Sequence, residues 1–206
     1  MTPNPNKKQA VYSMAITREQ FLYKECKIVA EWVLKGLSFE EIVKKCLEEN
    51  LFQLPTLKSV REIARVCYNR LMFNGDMDLI GLVANGVPSE AKLTVLYAFM
   101  CQNLIIRDFM VEVIGEKYKT GVYYYDRSEA ARFLFNLGNR VESVSKVTDE
   151  TTKKVRAVLT KCLAEAGYLT TVFSNDLLQV DPGFELGQII RNDGNEYMLP
   201  AFNVLQ

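Results

Sequence analysis

Leu93-Thr94-Val95-Leu96-Tyr97-Ala98-Phe99-Met100-Cys101-Gln102-Asn103-Leu104-Ile105-Ile106-Arg107-Asp108-Phe109, residues 93–109, is the most apolar stretch of this 206-residue chain. It contains Gln102, Asn103, Arg107 and Asp108, and it falls short of the roughly 20 apolar residues that a membrane-spanning helix needs. It therefore reads as helix buried in a soluble core. Pro88-Ser89 starts this helical region, which runs from Glu90 to about Lys119 with a break near Asn103.

Helix start signals dominate the residues before it. Thr17, with Gln20 three positions on, reads as a capping box, and Gly36 is the natural stop of the helix it opens. Ser38 with Glu41 forms a second box, for a helix carrying Phe39, Ile42, Val43, Cys46 and Leu47. Ser59 with Glu62 forms a third, for a helix through about Phe73, where Asn74-Gly75 breaks the chain. A short apolar segment, Met77 to Val83, closes at Asn85-Gly86.

Beyond the apolar stretch, Asp126 or Ser128 caps a helix through about Leu137. Thr148 caps another over Asp149 to Ala166, with Gly167 at its end. After Gly167 the runs Tyr168–Phe173, Leu177–Val180, Gly187–Arg191 and Tyr197–Leu199 read as short β-type segments. Asn175-Asp176, Asp181-Pro182-Gly183 and Asn192-Asp193-Gly194 separate them as turns. The expected architecture is a mainly α, compact helical bundle with a small β element near the C-terminus. The expected divisions are a flexible tail at 1–14, an N-terminal lobe at 15–86 and a C-terminal lobe at 87–206.

Composition narrows the chemistry. Lys plus Arg equals Asp plus Glu at 25 each, so no whole-protein field attracts nucleic acid or a membrane. The balance is local: residues 1–75 carry 12 basic and 8 acidic groups, and residues 76–150 carry 8 and 11. Histidine is absent, which removes the usual general base, the commonest zinc ligand and the Ser-His and Cys-His dyads. The five cysteines, Cys26, Cys46, Cys67, Cys101 and Cys162, fall on or near apolar helix stripes without close pairs. They read as small hydrophobes in a reducing compartment. No glycine-rich phosphate loop, dinucleotide fingerprint or serine elbow occurs. No cofactor, metal or small-molecule substrate is expected, and the protein reads as a binder and not an enzyme.

Two helices carry candidate binding residues. Between Ser59 and Leu71, the residues Val60, Ile63, Ala64, Cys67 and Leu71 share a stripe at about 100° per residue. Lys58, Arg61 and Arg65 cluster opposite it, and Arg70 lies at its flank. With the preceding capped helix, this has the layout of a helix-turn-helix unit, offering cations to phosphates or guanine edges. In the helix from Asp149, the stripe is Val155, Val158, Leu159, Cys162 and Ala166, with Lys153, Lys154, Arg156 and Lys161 on the remaining surface. A following hairpin would give winged-helix order. The bland alternative for both helices is a solvated polar face. Tyr123, Tyr124 and Tyr125 are aromatics able to stack on bases, but no cation alternates with them and only Arg127 follows, so packing is the expected role.

Ala15-Ile16-Thr17, Phe21-Leu22-Tyr23-Lys24-Glu25, Glu48-Glu49-Asn50-Leu51-Phe52-Gln53, Asn69-Arg70-Leu71, Arg107-Asp108-Phe109 with Glu112, and Leu199-Pro200-Ala201-Phe202 together resemble the BrxA family of BREX bacteriophage-exclusion systems. The resemblance spans about Ser13 to Phe202 and rests on order and spacing, with no chemically diagnostic motif. It implies a mostly helical fold similar to antitermination factors of the NusB type. It also implies a cytoplasmic protein acting beside a methyltransferase and other BREX proteins, with double-stranded DNA the leading ligand and RNA the second. An adaptor that docks onto other defence proteins is the reading from a different class.

Overall fold

A computed structural model describes residues 9–205. Residues 1–8 of the expected tail lie outside the described residues. The rest of that segment runs against the body, where the Leu104 amide donates to the Val11 carbonyl at 3.0 Å. Ser13 then caps a 3-10 turn at Met14–Thr17, and Thr17 closes the turn by donating to the Met14 carbonyl. The first long helix, α1 (Tyr23–Leu34), therefore starts later than the Thr17 capping box suggests, after Leu22 in the left-handed region at φ 56°.

Helix α2 (Phe39–Glu48) opens on the Ser38–Glu41 capping box, with both reciprocal bonds present. Helix α3 (Leu57–Leu71) starts three residues, nearly one turn, earlier than expected, because the Thr56 hydroxyl accepts the Ser59 amide. The apolar segment after Gly75 is a helix too, α4 (Met77–Asn85), since the Asp76 carboxylate accepts the Asp78 and Leu79 amides.

The decisive stretch becomes α5 (Pro88–Gln102), which is buried on nearly every side from Leu93 to Cys101. A helix apolar all round can only be a central one. Asn103 breaks it and caps α6 (Leu104–Phe109), which runs through a π turn at Met110–Gly115 into α7 (Glu116–Lys119). Gly115 permits the turn to lie on the C-terminal segment, because a Cβ there would meet the Ala201 nitrogen at 3.2 Å. Helices α8 (Ser128–Arg140), α9 (Glu142–Ser145) and α10 (Asp149–Ala166) follow.

The expected C-terminal β element is absent among the described residues. Gly187–Arg191 lies within α11 (Gly183–Asn192), and Tyr197–Leu199 within a 3-10 helix at Glu196–Phe202. Pro182 precedes the first helical residue, where its missing N–H costs nothing, so Asp-Pro-Gly starts a helix here instead of ending a strand. Leu186, Ile189 and Ile190 then point inward at helical spacing. The only β pairing described is two isolated bridges, Val11 with Asn103 and Tyr124 with Asp176. A winged-helix hairpin after α10 is thereby excluded.

One apolar core takes residues from both expected lobes, including Val29, Ala64, Val83, Leu96, Leu159 and Phe202. The boundary at 86/87 falls between α4 and α5, which pack on each other. The five cysteines are buried and none forms a disulfide among the described residues, and burial pushes the Cys162 thiol up to about 12.

Arg70 overturns its sequence reading. It is 1% exposed, at the end of α3. Its guanidinium donates to the carbonyls of Phe21 (2.5 Å), Glu19 (2.6 Å) and Gln20 (2.9 Å). The group also lies 3.8 Å from the centre of the Phe99 ring on α5. No phosphate can reach it. Arg70→Ala should lower unfolding free energy by about 3 kcal/mol or more, because it leaves buried carbonyls unsatisfied and opens a void. Denaturant titration checks this, and a loss below about 1 kcal/mol would show that the guanidinium is dispensable.

Candidate nucleic-acid interface

Helix α10 has sharply defined ends. The Thr148 hydroxyl accepts the Thr151 amide, Asp149 and Glu150 occupy the positive first turn, and Gly167 closes the helix at φ 93°. Val155, Val158, Leu159, Cys162, Leu163 and Ala166 are buried. That fixes the rotation of the helix and aligns Lys153, Arg156/Ala157 and Thr160/Lys161 along its outer side at i, i+3/i+4 spacing.

Those residues line a groove of about 590 Å³, together with Arg127, Val172 and Phe173. Four cations contribute to its wall and no carboxylate does. Arg127 comes from the residue before α8, and its guanidinium lies over the Phe173 ring at 5.1 Å. The Nε of Arg156 is buried with no hydrogen-bond partner among the described residues. Lys161 closes one end: it donates to Gln20 Oε1 at 2.6 Å and lies 3.7 Å from Glu165. Lys154 faces elsewhere and is paired with Glu150 at 2.6 Å. Of the four residues expected on this helix, the structure gathers Lys153, Arg156 and Lys161 and sets Lys154 apart.

A second groove continues from Lys161, lined by Lys24, Lys92, Gln20, Leu22, Tyr23, Glu25 and Glu165. Its two further lysines extend the positive surface, and its two carboxylates interrupt it. Burial raises the Glu165 carboxyl above its ordinary range, with Lys161 and Lys92 opposing that shift and Glu25 adding to it.

The α3 candidates fare differently. Arg61 and Arg65 line a separate groove with Lys44, Phe39, Glu40, Val43 and Leu47, and Arg65 lies 5.9 Å from the Phe39 ring centre. Lys58 is outside that groove, within 4.0 Å of Glu62 on its own helix. Arg70 is internal. The α3 and α10 grooves share no residue, so the expected cations form two sites and not one strip.

Sequence reasoning missed Arg127 and Phe173. Arg127 is displaced from α10 by more than twenty residues, and no helical pattern links it to Lys153. Phe173 ended a run read as strand. The signal available was a large aromatic in the polar stretch Thr170-Thr171-Val172-Phe173-Ser174-Asn175, with no periodic partner. The tyrosine triplet divides: Tyr125 is buried, and Tyr123 and Tyr124 are partly exposed.

Among the described residues, no group of Cys, Asp and Glu side chains is arranged to hold a metal ion. No helix among them is long and apolar enough to cross a membrane.

The raised Glu165 carboxyl has a consequence for pH. A carboxyl whose folded-state affinity for protons exceeds its unfolded one is stabilised by protonation, so stability rises as pH falls through its titration. Glu165→Gln should raise stability at neutral pH and flatten that rise, as read by thermal unfolding across a pH series. An unchanged pH profile would show that Glu165 is fully solvated.

Residues 10–192 match the family model described as BrxA. The chain is 32% identical over 162 residues to the "BREX protein BrxA" of Bacillus cereus (strain H3081.97), covering 79% of this chain and 80% of that one. Its fold is similar to the crystal structure of an uncharacterized protein from Magnetospirillum magneticum, with a TM-score of 0.76 and 22% identity, over 93% of this chain and 97% of the other. The last likeness concerns fold alone.

Proposed function

The chain belongs to the BrxA family, and on that premise we propose that it is a non-enzymatic, cytoplasmic component of a BREX phage-defence system that binds double-stranded DNA through phosphate contacts. The observation that carries this reading is the α10 groove: Arg127, Lys153, Arg156 and Lys161 converge with no carboxylate in the lining. An electroneutral chain has no general attraction for polyanions, so such a site is needed if DNA is to bind at all. Arg61, Arg65 and Lys44 supply a weaker second contact, tempered by Glu40 in the same groove. Lys58 and Lys154 sit against carboxylates at i+4 and i−4 and contribute less.

Phosphate binding releases condensed counterions, so affinity falls with salt at a log–log slope near −0.9 per contact. Four contacts correspond to a slope of about −3.6. Gel-shift titration of a blunt duplex at several salt concentrations reads that slope. Lys153→Glu with Arg156→Glu should weaken binding by at least about tenfold with thermal unfolding unchanged, whereas Arg61→Glu with Arg65→Glu should weaken it less. A flat salt response would remove the phosphate model, and stronger binding of duplex RNA in competition would favour the antitermination-like alternative.

A second groove gives the adaptor reading its own support. Met77, Leu82 and Ile189 with the 78%-exposed Phe184 line a cleft of about 810 Å³ between α4 and α11, rimmed by Asp78, Glu90 and Glu185 and by no cation. Its chemistry suits a basic amphipathic segment of another BREX protein. Phe184→Glu should abolish capture of such a partner in pairwise pull-downs within the same system and leave DNA binding untouched. Retained capture by the variant would discard this surface.

A further inference from the structure

The α10 groove holds one feature that phosphate binding does not use. Phe173 is 76% exposed in the middle of a wall of cations. A single exposed phenyl ring is ordinary on a protein surface. This one differs in how it is held. Its own amide donates to the Thr171 hydroxyl, and Ser174 donates to the Thr171 carbonyl. On the far side, the Asn175 carbonyl accepts the Tyr125 amide at 2.8 Å, and the Asn175 side chain donates to the Tyr124 hydroxyl. Leu177 donates to the Tyr123 carbonyl, and Leu178 to the carbonyl of Tyr168. The buried Tyr168 is itself tied through its hydroxyl to Ala201. The loop backbone is stapled before and after Phe173, which fixes the point from which the ring projects into water.

Arg127 contributes the second half. Its guanidinium lies over the Phe173 ring, and no other aromatic ring packs on Phe173 among the described residues. A phenyl face and a guanidinium plane are the two surfaces on which nucleobases stack. Lys153, Arg156 and Lys161 lie in the same wall, where the phosphates on either side of a stacked base would fall. A volume of about 590 Å³ is within the span of small-ligand sites and leaves room for one nucleotide.

We infer that this groove takes an unpaired nucleotide, its base stacked on Phe173 and its flanking phosphates on Arg127, Lys153 and Arg156. The inference rests on the nucleic-acid reading above and sharpens its substrate to DNA with a single-stranded end, gap or bubble. In an intact duplex each base is already covered on both faces, so stacking on a side chain requires a base that is out of the stack.

Gel-shift titration tests this with two probes, a blunt duplex and the same duplex carrying a short single-stranded overhang. The overhang should bind the wild-type chain more tightly. Phe173→Ala should lose about tenfold in affinity for the overhang, as expected for a base deprived of an aromatic platform, and little for the blunt duplex. Its salt slope should stay unchanged, because no phosphate contact is removed. Phe173→Trp should retain the preference. Equal affinity of Phe173→Ala and wild type for the overhang overturns the inference while salt-dependent duplex binding keeps the broader reading. An equal loss on both probes also overturns it, by assigning Phe173 to duplex contact. If neither probe binds the wild-type chain, the broader reading falls and takes this one with it.

Discussion

A charged guanidinium in an apolar core governs how this molecule is assembled. Taking an arginine out of water costs several kcal/mol unless its donors find partners. Arg70 meets most of that requirement with three consecutive backbone carbonyls, those of Glu19, Gln20 and Phe21, and with the face of Phe99, its Nε alone finding no hydrogen-bond partner among the described residues. Three consecutive carbonyls are free for one group where the chain leaves regular structure. The segment between the first 3-10 turn and α1 does so, ending at Leu22 in the left-handed region, where a branched side chain is strained. The arginine thus stabilises a backbone conformation that residues 18–22 have no reason to adopt alone. It fastens that segment to α3, while the ring of Phe99 ties both to the central helix α5.

From this clamp the consequences reach the cationic groove. Gln20, whose carbonyl accepts from Arg70, presents its side-chain oxygen to Lys161. The 3-10 turn just before it packs on α10. So the segment that Arg70 orders forms one wall beside α10 and holds Lys161 at the groove's end. Glu165 sits one turn further, half-buried with one carboxylate oxygen unpartnered among the described residues. The α10 groove therefore abuts the segment that the clamp orders, where Lys24 and Lys92 continue the positive surface and Glu25 and Glu165 interrupt it. An electroneutral chain acquires a local cationic wall here because its compensating carboxylates lie elsewhere. Glu150 and Glu62 hold Lys154 and Lys58, and Asp78, Glu90 and Glu185 gather around the α4–α11 cleft.

Helix capping was legible in part, because a cap is a contact within four residues, but the boxes expected at Thr17 and Ser59 cap no helix: α1 starts after Leu22 and α3 on Thr56. Ser38 with Glu41, Thr148 and Gly167 act as their sequence context suggests. The all-apolar run of α5 was equally legible as a central helix. What failed was the reading of turn residues as turns. Asp181-Pro182-Gly183 begins α11, and the apolar residues after it follow helical spacing, which a five-residue window cannot separate from alternation. Family membership was legible in the order of weak motifs, and the matched span agrees. The groove was half legible. Lys153, Arg156 and Lys161 share a helical face, which periodicity supplies. Arg127 and Phe173 join them only through the packing of α8 and the stapling of the loop at 168–178 against the tyrosine triplet, and no local pattern encodes either.

Arg70 also shows why position on a helical wheel cannot by itself tell a ligand-binding arginine from a structural one. Among the described residues three arginines lie over phenylalanine rings, and two of them, Arg70 on Phe99 and Arg127 on Phe173, make the sharpest contrast. Inside the core, the ring replaces part of the lost hydration, the three carbonyls take the two terminal nitrogens, and the residue is 1% exposed, so no ligand can reach the pair. At the surface, Arg127 acts on the adjacent Asp126 carboxyl only through its charge, and the phenyl ring lies largely in water. Cation–π attraction at an exposed site is worth only about 0.5–1 kcal/mol, too little to justify an ordered loop built around an exposed ring. The two pairs are opposite in exposure, and it is the exposed one, in a wall of cations, that fits a ligand with a flat face and a negative backbone.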